Sequence, residues 1–202
     1  MQKSAVYAIS FVLISAILIN LSSCRKTQQD SAVEQEKTSI LIPTQTAKDV
    51  GDWSLNQVFL PGDQGSDDPI SIQDLLQNEH IQVILLHFWA SWDEPAGAIM
   101  PHYEALYQQY QDKGLLVLGI TVDEKNDVLL GQIQSRMLQN QLSYPILWDH
   151  DKAVMNSYGI GAIPVTYLIG KQGKIRYEHS GFTSKEVDIP PLEEAINALL
   201  KK

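Results

Sequence analysis

Residues 81–89 carry only two polar side chains, Gln82 and His87, in a run otherwise built of Ile, Val, Leu, Phe and Trp. A strand with one face in water alternates apolar and polar residues. A nearly unbroken apolar run is a strand covered on both faces. This one segment therefore demands a sheet with packed material on either side. Directly after it, Trp89-Ala90-Ser91-Trp92-Asp93-Glu94-Pro95-Ala96 opens a helix, with Asp93 among the best residue types for an N-cap.

The surrounding pattern supplies the rest of an α/β domain. Residues 53–59 alternate in part, as a half-buried strand does, and Pro61-Gly62 with the Asp/Gly/Ser cluster to Asp68 marks a loop. Ser71 can cap a short helix over 72–77. The helix from Asp93 runs to about Lys113 and stops at Gly114, with Pro101 expected to kink it. Residues 115–122 form a second buried strand. Residues 127–140 are helical, with Val128, Leu130, Ile133, Met137 and Leu138 as core contacts. Residues 144–148 are extended, and 152–158 form a short helix stopped by Gly159. Strands over 165–169 and 175–179 flank the turn Gly170-Lys171-Gln172-Gly173. Pro191 opens a last helix to Leu200.

Two segments resemble one family. Residues 89–96 resemble the active-site segment of thioredoxin-fold oxidoreductases of the TlpA/ResA type, Trp-Ala-Ser/Thr-Trp-Cys-x-Pro-Cys. Met100-Pro101 also fits that family's active-site helix. Residues 158–169, Tyr-Gly-Ile-Gly-Ala-Ile-Pro-Val-Thr-Tyr-Leu-Ile, resemble the family block Tyr-Gly-Val-x-Gly-x-Pro-Thr-Thr-Phe-Leu-Ile. Trp148-Asp149, Gly173 and Gly181 fall in register, so the resemblance covers residues 51–200. It implies a thioredoxin fold, a central mixed sheet flanked by helices, with an N-terminal hairpin extension. It also implies a cis peptide bond before Pro164, facing the active site. Such a bond would turn the backbone of Ile163 outward, where an extended peptide can pair with it.

The two cysteine positions of that motif hold Asp93 and Ala96, and the chain's single cysteine is the distant Cys24. Thiol–disulfide exchange needs an attacking thiolate and a second thiol to resolve the mixed disulfide. A carboxylate and a methyl group supply neither. The catalytic positions are therefore degenerate. The resemblance implies a binding groove that outlasts them, built from Trp92, Asp93, Glu94, Pro95, Ile163 and Pro164. Asp93 then acts as an N-cap whose charge stands in for the thiolate, favoured by the helix dipole. An Asp93/Glu94 acid–base pair lacks a nucleophile between them. No metal site is expected. His87 is read as a buried, hydrogen-bonded histidine and His102 as surface or groove wall. Asp149-His150-Asp151 is read as a loop. Trp89 is assigned to the core and Trp92 to a partly exposed place beside the site. No cofactor is implied.

The N-terminus carries an address. Lys3 precedes an uncharged, largely apolar stretch over 5–21, and Leu21-Ser22-Ser23-Cys24 resembles a bacterial lipobox. The stretch is shorter than the ~20 residues that span a bilayer comfortably, and small residues before Cys24 suit cleavage. Residues 1–23 are read as a lipoprotein signal peptide and Cys24 as the lipidation site. Residues 24–48, poor in apolar side chains, are read as a tether, and residues 49–202 as the thioredoxin-like domain. The apolar patch Ile40-Leu41-Ile42 either continues the tether or docks on the domain. Arg25, following the lipidation site, leans towards the outer membrane. The expected location is the bacterial envelope, facing the periplasm, with a lipid anchor in the membrane.

With 24 acidic and 15 basic residues, a net charge of −9 argues against nucleic acid as a partner. Three functional readings follow: a redox-inactive module holding an envelope protein or an extended peptide segment; a thiol-disulfide oxidoreductase or redoxin-type antioxidant that uses partner thiols; and a purely structural envelope protein.

Overall fold

The computed structural model describes residues 41–42, 46–59 and 68–201. In chain order the elements are β1 (Ser54–Leu55), β2 (Gln57–Val58), β3 (Ile70–Ser71), α1 (Ile72–Gln77), β4 (Val83–Trp89), α2 (Glu94–Tyr110), a short 3-10 turn (Gln111–Lys113), β5 (Leu115–Thr121), α3 (Asp127–Gln139), β6 (Ile146–Trp148), α4 (Ala153–Tyr158), β7 (Val165–Gly170), β8 (Ile175–Ser180) and α5 (Lys185–Leu200). Six strands form one mixed sheet in the order β2-β6-β5-β4-β7-β8, and β1 pairs with β3 in a separate small hairpin.

All seven residues of β4 are buried. Its side chains alternate between two apolar layers. Val83, Leu85 and Trp89 join Met100 and Tyr103 of α2, Ile133 of α3 and Ile196 of α5. Ile84, Leu86 and Phe88 join Ile72 of α1 and Val154 of α4 on the opposite face. The near-continuous apolar run is thus explained by helices on both faces. The fold is a thioredoxin-like α/β sheet with a hairpin before it, as the resemblance implies.

Helix α2 runs through Pro101 and ends in the 3-10 turn, with Gly114 at φ 100°. That left-handed angle suits glycine, which has no Cβ to clash there. Ser71 caps α1 by accepting a hydrogen bond from the Asp74 backbone N–H.

Several expectations are corrected. Residues 53–59 do not form one strand. They split into β1 and β2, which pair with different partners in different sheets. Val128 and Leu138 lie on solvent at 71% and 58% exposure, while Ile133 and Met137 carry the core face of α3. The apolar stripe is narrower than the pattern suggested. Helix α5 begins at Lys185, six residues before Pro191, and both Pro190 and Pro191 lie inside it. The carbonyls that lose their ladder donors belong to the exposed Glu186 and Val187, where water can serve them. Buried Asp188 compensates at the helix start by accepting from the N–H groups of Thr183 and Ser184.

Leu41 and Ile42 dock. They pack against opposite apolar layers, and the Ile42 N–H donates to the Arg176 carbonyl at 2.7 Å. Arg176 Nε donates back to the Ile42 carbonyl at 2.7 Å. Cys24, Arg25, the signal-peptide stretch and most of the 61–68 loop lie outside the described residues. Among the described residues, no helix is long and apolar enough to cross a membrane.

Candidate functional site

Sheet register gathers the candidate groove. Strand β4 is parallel to β5, with Trp89 opposite Thr121, and antiparallel to β7, with Phe88 opposite Val165. The loop after β4, the loop after β5 and the segment before β7 therefore meet at one end of the sheet. Continuing the β4–β7 register places Pro164 across from Trp89 and Ile163 across from Ala90. Thus residues 92–95 and 163–164 share that end.

Asp93 caps α2, as its residue type predicts. Its Oδ1 accepts from the Ala96 N–H at 3.4 Å. Both residues are buried, Ala96 completely. Among the described residues, Asp93 Oδ2 is buried with no hydrogen-bond partner. Burial pushes the Asp93 pKa up, and the Ala96 N–H and the Arg136 guanidinium only partly oppose it. The expected fixed charge is therefore held less firmly than a solvated N-cap would hold it. The sign follows from protonation. The native state binds the Asp93 proton more tightly than the unfolded chain, so stability falls as pH rises from 3.8 through the raised native value. Asparagine caps as well as aspartate and has no charge to bury. Asp93→Asn should flatten that acid-range decline, measured as urea midpoint against pH. Asp149 is raised by burial in the same direction, so the variant keeps a smaller residual slope.

Ser91 is held from three directions. Its N–H and its hydroxyl donate to the Asp123 carboxylate, each at 2.8 Å. The hydroxyl also lies 3.2 Å from Gln132 Oε1. Its carbonyl accepts from Arg136 Nη2 at 3.0 Å, and the same nitrogen lies 3.3 Å from Glu94 Oε1. Arg136 crosses the first turn of α2 so closely that a Cβ on Gly97 would collide with its guanidinium. Asp123 itself is buried and also accepts from the Thr121 hydroxyl. Next to this clamp, Trp92 stands 66% exposed, while Trp89 is fully buried. Sequence reasoning missed Asp123, Gln132 and Arg136. Each lies 32 to 45 residues from Ser91, with no local motif to mark it.

The Ile163–Pro164 peptide bond is cis. The Pro164 carbonyl accepts from the Gly181 N–H at 2.8 Å. No backbone hydrogen bond among the described residues uses the N–H or carbonyl of Ile163. Those two groups can serve an added strand.

His87 is fully buried and T-shaped against Tyr103, with Nδ1 3.4 Å from the Thr166 hydroxyl oxygen. The Tyr103 and Thr166 hydroxyls are 2.6 Å apart. Burial lowers the His87 pKa to about 3, so the ring is neutral at physiological pH. His102 instead lies near Phe182, with ring centroids 6.2 Å apart. Asp149 accepts from the Val154 and Met155 N–H groups and so caps α4. Among the described residues, no three His, Cys, Asp or Glu side chains gather as metal ligands.

Comparison with known proteins fits this geometry. The model of the AhpC/TSA family matches residues 46–178. The thiol-disulfide oxidoreductase ResA of Geobacillus thermodenitrificans is 33% identical over 103 residues, which cover 51% of this chain and 57% of that relative. The chain thus matches little more than half the length of that relative. A solved structure from Chlorobium tepidum, proposed to be the thiol:disulfide interchange protein DsbE, aligns with TM-score 0.62 and 24% identity over 76% of this chain and 96% of that one. StoA of Bacillus subtilis aligns with TM-score 0.53 and 22% identity over 72% and 96%. The two structures share the fold, and the family model covers most of the domain: the chain belongs to the AhpC/TSA family, as a thioredoxin-like redoxin related to thiol-disulfide oxidoreductases.

Proposed function

We propose that this chain is a redox-silent redoxin that holds an extended segment of another envelope protein. The observation that carries the reading is the pair of side chains at the degenerate positions. Asp93 caps the helix where the family motif has its first cysteine, and buried Ala96 takes the place of the second. The only cysteine, Cys24, lies in the lipobox-like segment. Exposed Trp92 and the unengaged Ile163 backbone supply apolar contact and strand pairing for a bound segment. In this reading Cys24 is acylated and anchors the domain in the bacterial envelope, facing the periplasm. Arg25 favours the outer membrane. The lipobox is the support for this placement.

A second reading has support from the relatives. The ResA proteins are named as thiol-disulfide oxidoreductases, and this chain could take part in such chemistry, or in redoxin-type antioxidant chemistry, only through thiols of a partner. Crosslinking in the intact envelope separates the possibilities. The native chain should capture a defined protein under reducing conditions, and Trp92→Ala should lose it. Capture that vanishes with reductant, or that ignores Trp92→Ala, contradicts the groove.

A further inference from the structure

The groove is bordered by an uneven charge distribution. The loop after β4 and the loop after β5 are tied together through Ser91 and Asp123. Beyond the clamp, the exposed surface of these loops and the adjoining helix starts carries Glu94, Glu124 and Asp127. Among the described residues its one exposed cation is Lys125, because the Arg136 side chain is only 17% exposed and already sits on Ser91 and Glu94.

Two exposed apolar side chains, Trp92 and Val128, lie on the same surface. Gln132 and Arg136 both reach the Ser91 loop, so that face of α3 points towards the groove. Val128 sits one turn earlier on that face and is 71% exposed. Trp92 follows the clamped Ser91 and is 66% exposed. An exposed aromatic on a preorganised loop is a good binding anchor, since little order remains to be imposed on contact.

We infer that the bound segment is basic as well as apolar: an extended strand that sets an aliphatic or aromatic side chain on Trp92 and Val128 and places Lys or Arg beside Glu124 and Asp127, since Glu94 is already paired with Arg136. This rests on the proposed groove and adds the chemistry of its occupant. Ile163 offers the main-chain pairing, which does not select sequence. The carboxylates and the apolar pair do.

The test uses the full-length chain in neutral detergent and three fluorescent peptides of alternating pattern. Each carries one central Leu, flanked by Lys, by Ser or by Glu. Anisotropy at low salt should give about tenfold tighter binding for the Lys-flanked peptide than for the Glu-flanked one. The gap should shrink at high salt as exposed charges are screened. Glu124→Gln combined with Asp127→Asn should close most of the gap, by weakening the Lys-flanked peptide and strengthening the Glu-flanked one. Trp92→Ala should weaken all three. Equal binding of the three peptides by the native chain, with Trp92 still required, overturns the basic preference and leaves the groove standing. A preference for Glu flanks overturns it too. If no peptide binds in a Trp92-dependent way, the groove itself fails, and the inference with it.

Discussion

Asp93→Cys combined with Ala96→Cys should confer insulin-reductase turnover in the presence of dithiothreitol. The surrounding structure supports a reactive thiol at position 93. That residue caps a 17-residue helix, where free N–H groups and the helix dipole favour a thiolate. The Arg136 guanidinium also acts on the carboxyl now there, and in the direction that favours its charged form. Burial works against a thiolate at this position, as it does against the Asp93 carboxylate, so a modest rather than a full reductase rate is the expected result. The second position is fully buried, so its new sulfur is shielded and suited to resolving a mixed disulfide. The added atom must be accommodated, at about 1–3 kcal/mol of overpacking, which the domain should tolerate. Asp93→Cys alone should form mixed disulfides and turn over poorly, because position 96 then offers no resolving thiol and release depends on dithiothreitol from solution. Silence from the double variant, with the fold intact by circular dichroism, would mean that the groove has diverged as well as the sulfur.

Asp123→Ala should have the largest effect on stability. The carboxylate is buried and accepts from the Ser91 N–H, the Ser91 hydroxyl and the Thr121 hydroxyl. Removal leaves buried donors without partners, at about 1–3 kcal/mol for each one left unmade. A loss of about 3–5 kcal/mol is expected, read from urea denaturation, with an unchanged slope if the transition stays two-state. Asp123→Asn keeps the shape and should recover part of it. The same variant should loosen the Trp92 loop and weaken binding at the groove. A loss below about 1 kcal/mol would mean that the Ser91 clamp is not what fixes the loop.

Much of this architecture is legible in the amino-acid sequence. The run over 81–89 demands cover on both faces, and β4 has it. Asp93 as N-cap follows from residue chemistry at a helix start. The cis bond before Pro164 follows from resemblance. Local pattern fails where tertiary context decides. Val128 and Leu138 satisfy helical spacing but fall beyond the edge of the α3 core stripe. The alternation in 53–59 is real, yet its two halves serve different sheets. Pro191 looks like a helix start because the help from Asp188 is not visible in the one-dimensional pattern. The clamp on Ser91 is invisible for the same reason: its three partners arrive from the loop after β5 and from α3, and only the sheet register brings them together.

The central claim is that the chain's own side chains cannot exchange a disulfide. Insulin reduction by the unsubstituted full-length chain tests it most directly, with dithiothreitol supplied and the Asp93→Cys, Ala96→Cys variant alongside as the positive control. The predicted rate for the unsubstituted chain equals that of the assay without protein. A rate above that background, proportional to protein concentration and surviving a second purification, contradicts the account.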